Sequence, residues 1–110
     1  MSAPAASQPS NTAPASNSRL IAEATQNFIT FLDALQIGLA AKDSLHPLLS
    51  DIIGSVNAIS SNDFNGRASI IQWLIILNQM KAAEDITQDQ VRQLKFDIQT
   101  AYDGFKETLD

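Results

Sequence analysis

Apolar residues recur every three or four positions in four stretches of the chain, which is the spacing of one face of an α-helix. The stretches run from about Arg19 to Ala41, from Leu45 to about Ser60, from Arg67 to Lys81 and from Thr87 to Leu109. None of them shows the sustained alternation of apolar and polar residues that is typical of a β-strand. The pattern therefore predicts an all-α protein.

Short connections rich in helix-breaking residues separate these stretches. Residues 42–44 form a short break before the second helix. Pro47 follows it, and a helix tolerates proline within its first turn because the N–H groups there have no hydrogen-bond partner within the helix. Residues 60–66 are mostly Ser, Asn, Asp and Gly, which favour turns. Thr87 and Gln90 have the spacing of a capping box and predict the start of the last helix. Short connections favour antiparallel neighbours, so residues 19–110 are predicted to form an up-down antiparallel four-helix bundle.

The first 18 residues differ in composition from the rest of the chain. They consist mainly of Ser, Ala, Pro, Asn, Gln and Thr, and they contain no charged or aromatic side chain. Such a segment buries too little apolar area to offset the entropy lost on ordering. We therefore expect residues 1–18 to be a disordered, low-complexity linker or tail.

The charge balance excludes several classes of function. The formal net charge is −5, and the seven Lys and Arg residues form no cluster, whereas nucleic acids and anionic membranes bind clustered basic residues. The longest apolar run, Trp73 to Leu77, is too short to cross a bilayer, and the N-terminus lacks the pattern of a secretory signal. We expect a cytoplasmic protein that binds no nucleic acid and does not insert into a membrane.

The residues typical of catalysis and of metal binding are almost missing. The chain has no cysteine, and His46 is its only histidine, although general bases and zinc sites depend on such side chains. The carboxylates lack the spacing and central glycine of a calcium-binding loop. We therefore expect no enzymatic activity and no cofactor, with a carboxylate-only hydrolase as a remote alternative.

Phe96 departs from the apolar pattern of the last helix. At 100° per residue it falls nearly opposite the stripe that contains Leu94 and Ile98. Aromatic and arginine side chains carry much of the binding energy of protein interfaces. Phe96, with Arg92 one turn before it and Gln99 and Thr100 one turn after it, is therefore the predicted partner-binding site. The alternative is that the ring packs against a neighbouring helix.

The third helix has an unusually wide apolar face. Ile71 and Ile75 lie one turn apart outside its main stripe and are predicted to add a second apolar strip to the binding surface, unless this helix buries two faces. Trp73 lies within the stripe and is predicted to belong to the core. Asp63 is expected to cap the third helix, and Arg67 is expected to pair with an acidic neighbour.

A set of motifs in fixed order closely resembles the C-terminal domain of the vacuolar protein sorting-associated protein 28 family, in its fungal form. These proteins are subunits of the ESCRT-I endosomal sorting complex. The motifs are Phe28-Ile29-Thr30, Asp33-Ala34-Leu35, Leu45-His46-Pro47-Leu48-Leu49, Asp63-Phe64-Asn65-Gly66-Arg67, Trp73-Leu74, Gln90-Val91-Arg92-Gln93, Phe96-Asp97-Ile98, Ala101-Tyr102 and Phe105. The resemblance covers about Leu20 to Asp110, and it does not extend to the family's N-terminal domain, which anchors the subunit in the ESCRT-I core.

This resemblance implies a four-helix bundle that acts as a docking adaptor. The implied partners are an ESCRT-II subunit with a zinc-finger insertion and an ESCRT-III subunit, during sorting of ubiquitinated cargo into multivesicular bodies. Any zinc then belongs to the partner, and the domain is expected to be monomeric alone and to be recruited to the endosomal membrane as part of ESCRT-I. The alternative from a different class is a helical module that self-associates through its third helix.

Overall fold

The structure, a computed structural model, describes residues 13–59 and 63–109, with side chains from residue 17 onwards. Within these residues the chain forms four helices: α1 (Ala13–Gln36), α2 (Lys42–Ile59), α3 (Arg67–Asn78) and α4 (Gln88–Glu107). Each helix packs against the next, and α4 packs against α1. The predicted all-α, up-down antiparallel four-helix bundle is confirmed. The part of the predicted tail that spans residues 1–12 lies outside the described residues.

One apolar face of each helix contributes to a single core. Its largest fully buried side chains are Phe28, Phe31, Leu45, Leu49, Ile52, Ile70, Leu77, Leu94 and Ile98. Aromatic rings join α1 to α4, because the ring centroid of Phe28 lies 5.1 Å from that of Tyr102 and 5.6 Å from that of Phe105. The stripes predicted for the four helices therefore meet in the interior, as a bundle requires.

The first helix differs from its predicted boundaries at both ends. It begins at Ala13, so six residues assigned to the tail are helical, and Pro14 falls in the first turn, where proline is tolerated. It ends at Gln36 because Gly38 adopts a φ of +96°, which favours glycine. The amides of Gly38 and Leu39 donate to the carbonyls of Leu35 and Ala34, in the pattern of a Schellman motif. Leu39 consequently lies outside the helix and is exposed.

The second helix begins earlier than predicted, at Lys42, and contains Pro47 beyond its first turn. The expectation that Pro47 marks the first turn was therefore wrong. The early start is stabilised by the α3–α4 connection, since the amides of Lys42 and Asp43 donate to the carbonyls of Glu84 and Ala82. These bonds satisfy two of the N–H groups that a helix leaves unpaired at its N-terminus.

The remaining helix ends agree more closely with the sequence pattern. Thr87 is the N-cap of α4, and both hydrogen bonds of the predicted capping box to Gln90 are present. The third helix ends at Asn78, three residues before the predicted end, and α4 ends at Glu107. Leu109, which the pattern placed in the apolar stripe of α4, therefore follows the helix and is exposed.

Two expectations for the α2–α3 connection were wrong. Asp63 does not cap α3, whose N-cap is Gly66 without a side-chain hydrogen bond; its Oδ1 instead accepts from the amide of Phe64 at 2.9 Å. Arg67 pairs with no carboxylate among the described residues, and its Nη2 donates to Asn57 Oδ1 at 2.7 Å. Both contacts depend on where the chain places its loops, which the sequence pattern alone does not specify.

Two glycines allow this connection to approach α4 very closely. A Cβ atom on Gly104 would lie 2.1 Å from the carbonyl oxygen of Asn65, and a Cβ on Gly66 would lie 2.5 Å from Cα of Ala101. Gly66 also has a φ of +96°, which other L-residues rarely adopt. The absence of side chains at these positions therefore sets the distance between the α2–α3 connection and α4.

We expect Gly104→Ala to destabilise the protein by about 1–3 kcal/mol, because the new methyl group must displace the backbone of Asn65. Gly54→Ala is the matched control, since a Cβ at this exposed position of α2 meets no atom within 4 Å. Alanine should stabilise that site by about 0.5–1 kcal/mol through its helix propensity. Urea denaturation of both variants checks the prediction, and equal midpoints would contradict it.

Candidate protein-docking surface

Phe96 lies on the outer side of α4, as the sequence pattern predicts. Its side chain is 67% exposed, whereas Leu94 and Ile98 on either side of it are fully buried. The helix directs these residues inwards to the core and therefore directs Phe96 outwards. The alternative that the ring packs against a neighbouring helix is wrong in the unbound chain. An isolated exposed aromatic ring of this size is a candidate anchor for a partner.

The polar residues predicted to accompany Phe96 lie around it on the same helix. Arg92 is exposed and forms a salt bridge with Asp89, one turn earlier. Gln99 is exposed, and its Nε2 donates to Asp103 Oδ1 at 3.2 Å. Thr100 is half-buried. These side chains form a polar border around the ring, which is the arrangement found around energetically dominant interface residues.

A hydrogen-bonded group next to Phe96 holds α4 against α3. Trp73 is buried, as predicted for a core residue, and its indole Nε1 donates to Asp97 Oδ2 at 2.8 Å. The other oxygen of Asp97 accepts from Gln93 Nε2 at 2.9 Å. Because the bond from Trp73 joins α3 to α4, it restrains the rotation of α4 about its axis at this level, while the bond from Gln93 lies within α4 and holds the carboxylate in place. Phe96, which precedes Asp97, is thereby kept on the outer surface.

Ile71 and Ile75 lie on a different side of the bundle. They are 37% and 49% exposed. The alternative that α3 buries both of its apolar faces therefore does not hold at these two positions. Ile71 follows Arg67 by one turn, and Arg67 contacts Asn57 of α2, whereas Trp73 points to α4. At 100° per residue Ile71 is turned about 160° away from Trp73. The two isoleucines therefore do not share a surface with Phe96.

Two exposed isoleucines of the first helix and its turn were missed. Ile37 is 77% exposed and follows the end of α1, and Ile29 is 39% exposed within it. The exposure of Ile37 could have been predicted, because Gly38 follows it directly and glycine commonly ends a helix. Ile29 lies beside Phe28, on the edge of the apolar stripe, where periodicity alone does not decide exposure.

An open groove between α1 and α2 has a different character. It has a volume of about 320 Å³ and is lined mainly by polar and small residues, with Leu20 as its only large apolar side chain. Asn27 Nδ2 donates across it to the backbone carbonyl of Asp51 at 3.3 Å, and Ser55 Oγ donates to the same carbonyl at 2.7 Å. The bond from Asn27 ties α1 to α2, and the bond from Ser55 lies within α2, so the polar groups of the groove are engaged within the bundle.

The chemistry of the described residues adds two findings. Across residues 13–59 and 63–109, no three Asp, Glu or His side chains converge as ligands for a metal ion. In that same part of the chain, no helix combines the length and hydrophobicity needed to cross a bilayer. The exposed apolar residues on the bundle surface are thus the features that remain to be explained.

Comparison with known proteins identifies relatives over most of the chain. The sequence model of the VPS28 protein family matches residues 2–109. Vacuolar protein sorting-associated protein 28 of Saccharomyces cerevisiae is 42% identical over 94 residues, which is 86% of this chain and 39% of the yeast protein. Homolog 1 from Arabidopsis thaliana is 40% identical over 96 residues, covering 86% of this chain and 46% of the plant protein. The chain thus spans less than half the length of these curated relatives.

Two solved structures have the same fold. A crystal structure of the C-terminal domain of Vps28 aligns with a TM-score of 0.80 and 40% sequence identity, over 82% of this chain and 96% of that domain. The X-ray structure of the yeast ESCRT-I Vps28 C-terminus aligns with a TM-score of 0.81 and 41% identity, over 84% of this chain and 93% of the yeast domain. The resemblance read from the motifs is confirmed. The chain belongs to the VPS28 protein family, and its described residues have the fold of the Vps28 C-terminal domain.

Proposed function

We propose that this domain is a non-enzymatic adaptor of ESCRT-I, which docks downstream ESCRT components through the surface of its helical bundle. The observation that carries the proposal is the exposure of Phe96, whose ring is 67% accessible on a helix that otherwise buries its large apolar side chains. A solvated aromatic ring makes no contribution to the core, and burying it against another protein is favourable. The relatives described above bear the names of vacuolar sorting proteins and not of an enzyme family.

The proposed partner of the Phe96 site is the zinc-finger insertion of an ESCRT-II subunit, as the family resemblance implies. Arg92, Gln99 and Thr100 complete this site on α4. Ile71 and Ile75 form a separate apolar strip on α3, and we assign it to a second partner, an ESCRT-III subunit. The separation of the two surfaces allows both partners to bind one domain together.

The cellular role follows from these contacts. We propose that the protein acts in the cytoplasm in ubiquitin-dependent sorting of cargo to multivesicular bodies, and that it reaches the endosomal membrane as part of ESCRT-I. Zinc is supplied by the partner. The chain alone is proposed to be monomeric until a partner binds.

Isothermal titration calorimetry tests the proposal directly. An ESCRT-II zinc-finger fragment, folded with zinc, should bind the chain with one-to-one stoichiometry and a negative heat-capacity change, because apolar surface is buried. The same fragment stripped of zinc should bind much more weakly, since such fingers need the metal to fold. Absence of binding by the zinc-loaded fragment at concentrations of about 1 mM would overturn the proposed partner.

A further inference from the structure

The exposed surface near Phe96 continues from α4 onto α1. The Nζ of Lys95 lies 3.3 Å from Oε1 of Gln36, so these two side chains meet across the junction of the two helices. Ile29 precedes Gln36 by seven residues, which is almost two full helical turns. Ile29 therefore lies on the same side of α1 as Gln36, facing outwards beside α4, and it is 39% exposed.

Phe96 alone is too small to account for an interface. Standard protein interfaces bury about 800 Å² on each partner, whereas a large aromatic side chain supplies roughly 150–250 Å². Adjacent helix axes lie roughly 8–10 Å apart, so a partner centred on Phe96 must also cover neighbouring helices. Ile71 and Ile75 are turned to the far side of the bundle, whereas Ile29 is the exposed large apolar residue that lies within the described part of α1.

The charge of Lys95 indicates the chemistry of the partner. The salt bridges among the described residues join Arg92 to Asp89 and Lys106 to Asp103, so Lys95 has no carboxylate partner there. Its ammonium group instead donates to the neutral side-chain amide of Gln36. A cation without a carboxylate partner beside the exposed Phe96, on a chain with a net charge of −5, is complementary to a partner carboxylate.

We propose that Ile29, Lys95 and Phe96 form one docking surface across α1 and α4, and that its occupant is a folded protein surface with a carboxylate between two apolar contacts. This inference rests on the proposed function, and it names the chemistry that the partner of the Phe96 site must present. Ile29 serves as the second apolar anchor. Lys95 orients the partner by pairing with its carboxylate.

The test measures the affinity of a zinc-loaded ESCRT-II zinc-finger fragment for single variants of the full chain. Ile29→Ser should weaken binding about tenfold or more, as expected for an apolar interface anchor. Lys95→Gln should weaken it severalfold and reduce its dependence on salt concentration, because an ion pair is lost. Leu109→Ser is the matched control for Ile29, because Leu109 is equally exposed at 39%, and Lys106→Gln is the control for Lys95. Both controls should bind like the unmodified chain.

The outcomes separate this inference from the proposed function. If Phe96→Asp abolishes binding while Ile29→Ser and Lys95→Gln behave like their controls, the extended surface is overturned and the Phe96 site survives. If the unmodified chain does not bind, both are overturned. A fall in the mass of the isolated chain caused by Ile29→Ser, seen by light scattering, would show that a second copy covers this face and would also overturn the inference. Circular dichroism must show an unchanged helical content for each variant.

Discussion

Leu49→Asp is expected to unfold the bundle. Leu49 is fully buried in the middle of α2, where it belongs to the core together with Ile52 and Val56. A carboxylate at this position would lose its hydration without gaining a partner, because the described structure buries no polar or charged residue beside it. An unpaired charge in a core costs several kcal/mol. That loss is comparable to the roughly 5–15 kcal/mol that stabilises a whole domain.

Far-ultraviolet circular dichroism and thermal melting provide the measurement. Leu49→Asp should lose most of the helical signal or melt at a much lower temperature, and Ile52→Asp should behave in the same way because Ile52 is also fully buried. Ser50→Asp is the matched control, since Ser50 is exposed on the same helix and its substitution should change stability by less than about 1 kcal/mol. Near-native melting of Leu49→Asp would mean that the core face of α2 is assigned wrongly.

Phe96→Asp is expected to leave the bundle folded and to weaken binding of the partner. Because two thirds of the Phe96 side chain is already accessible, with 67% exposure, its removal should lower stability by less than about 1 kcal/mol. Phe and Asp also have similar helix propensities. In the complex, the same change removes an aromatic anchor and buries a charge, so affinity should fall by at least about 30-fold, the equivalent of roughly 2 kcal/mol.

Calorimetric affinity and thermal melting should be measured on the same preparation of Phe96→Asp. Phe96→Leu provides the control, because it retains an apolar side chain at the same position and should lose less affinity than the aspartate variant. A collapse of the melting transition in Phe96→Asp would show that the ring supports the bundle. Unchanged affinity in a folded Phe96→Asp would show that the partner binds elsewhere.

Much of the fold could be predicted from the sequence because each helix has a local signature. The apolar spacing around Leu49 and Ile52 identifies a buried face, and the Thr87–Gln90 capping box marks the start of α4 within one residue. One boundary that could not be predicted depends on distant contacts. The start of α2 at Lys42 is stabilised by carbonyls some 40 residues later in the chain, and helix periodicity contains no information about such bonds.

The exposure of single residues could be predicted from the sequence, whereas the arrangement of the helices could not. The position of Phe96 opposite the stripe of α4 follows from 100° per residue alone, and its exposure agrees with the structure. Whether Ile71 and Ile75 lie beside Phe96 depends on how α3 is rotated against α4, which is shown by the burial of its core face and by the bond from Trp73 to Asp97. Ile29 was missed because it lies beside the buried Phe28 at the edge of the apolar stripe of α1, where periodicity alone does not decide exposure.

Apolar side chains left outside the core are proposed to bind another polypeptide, and heteronuclear NMR titration would locate the surface that does so. The labelled chain would be titrated with the zinc-loaded ESCRT-II zinc-finger fragment while every backbone amide is followed. The largest shifts should occur around Phe96, from Arg92 to Thr100, and α2 residues near Leu49 should change little. Shifts confined to residues 1–18, with none on the surface of the bundle, would contradict it.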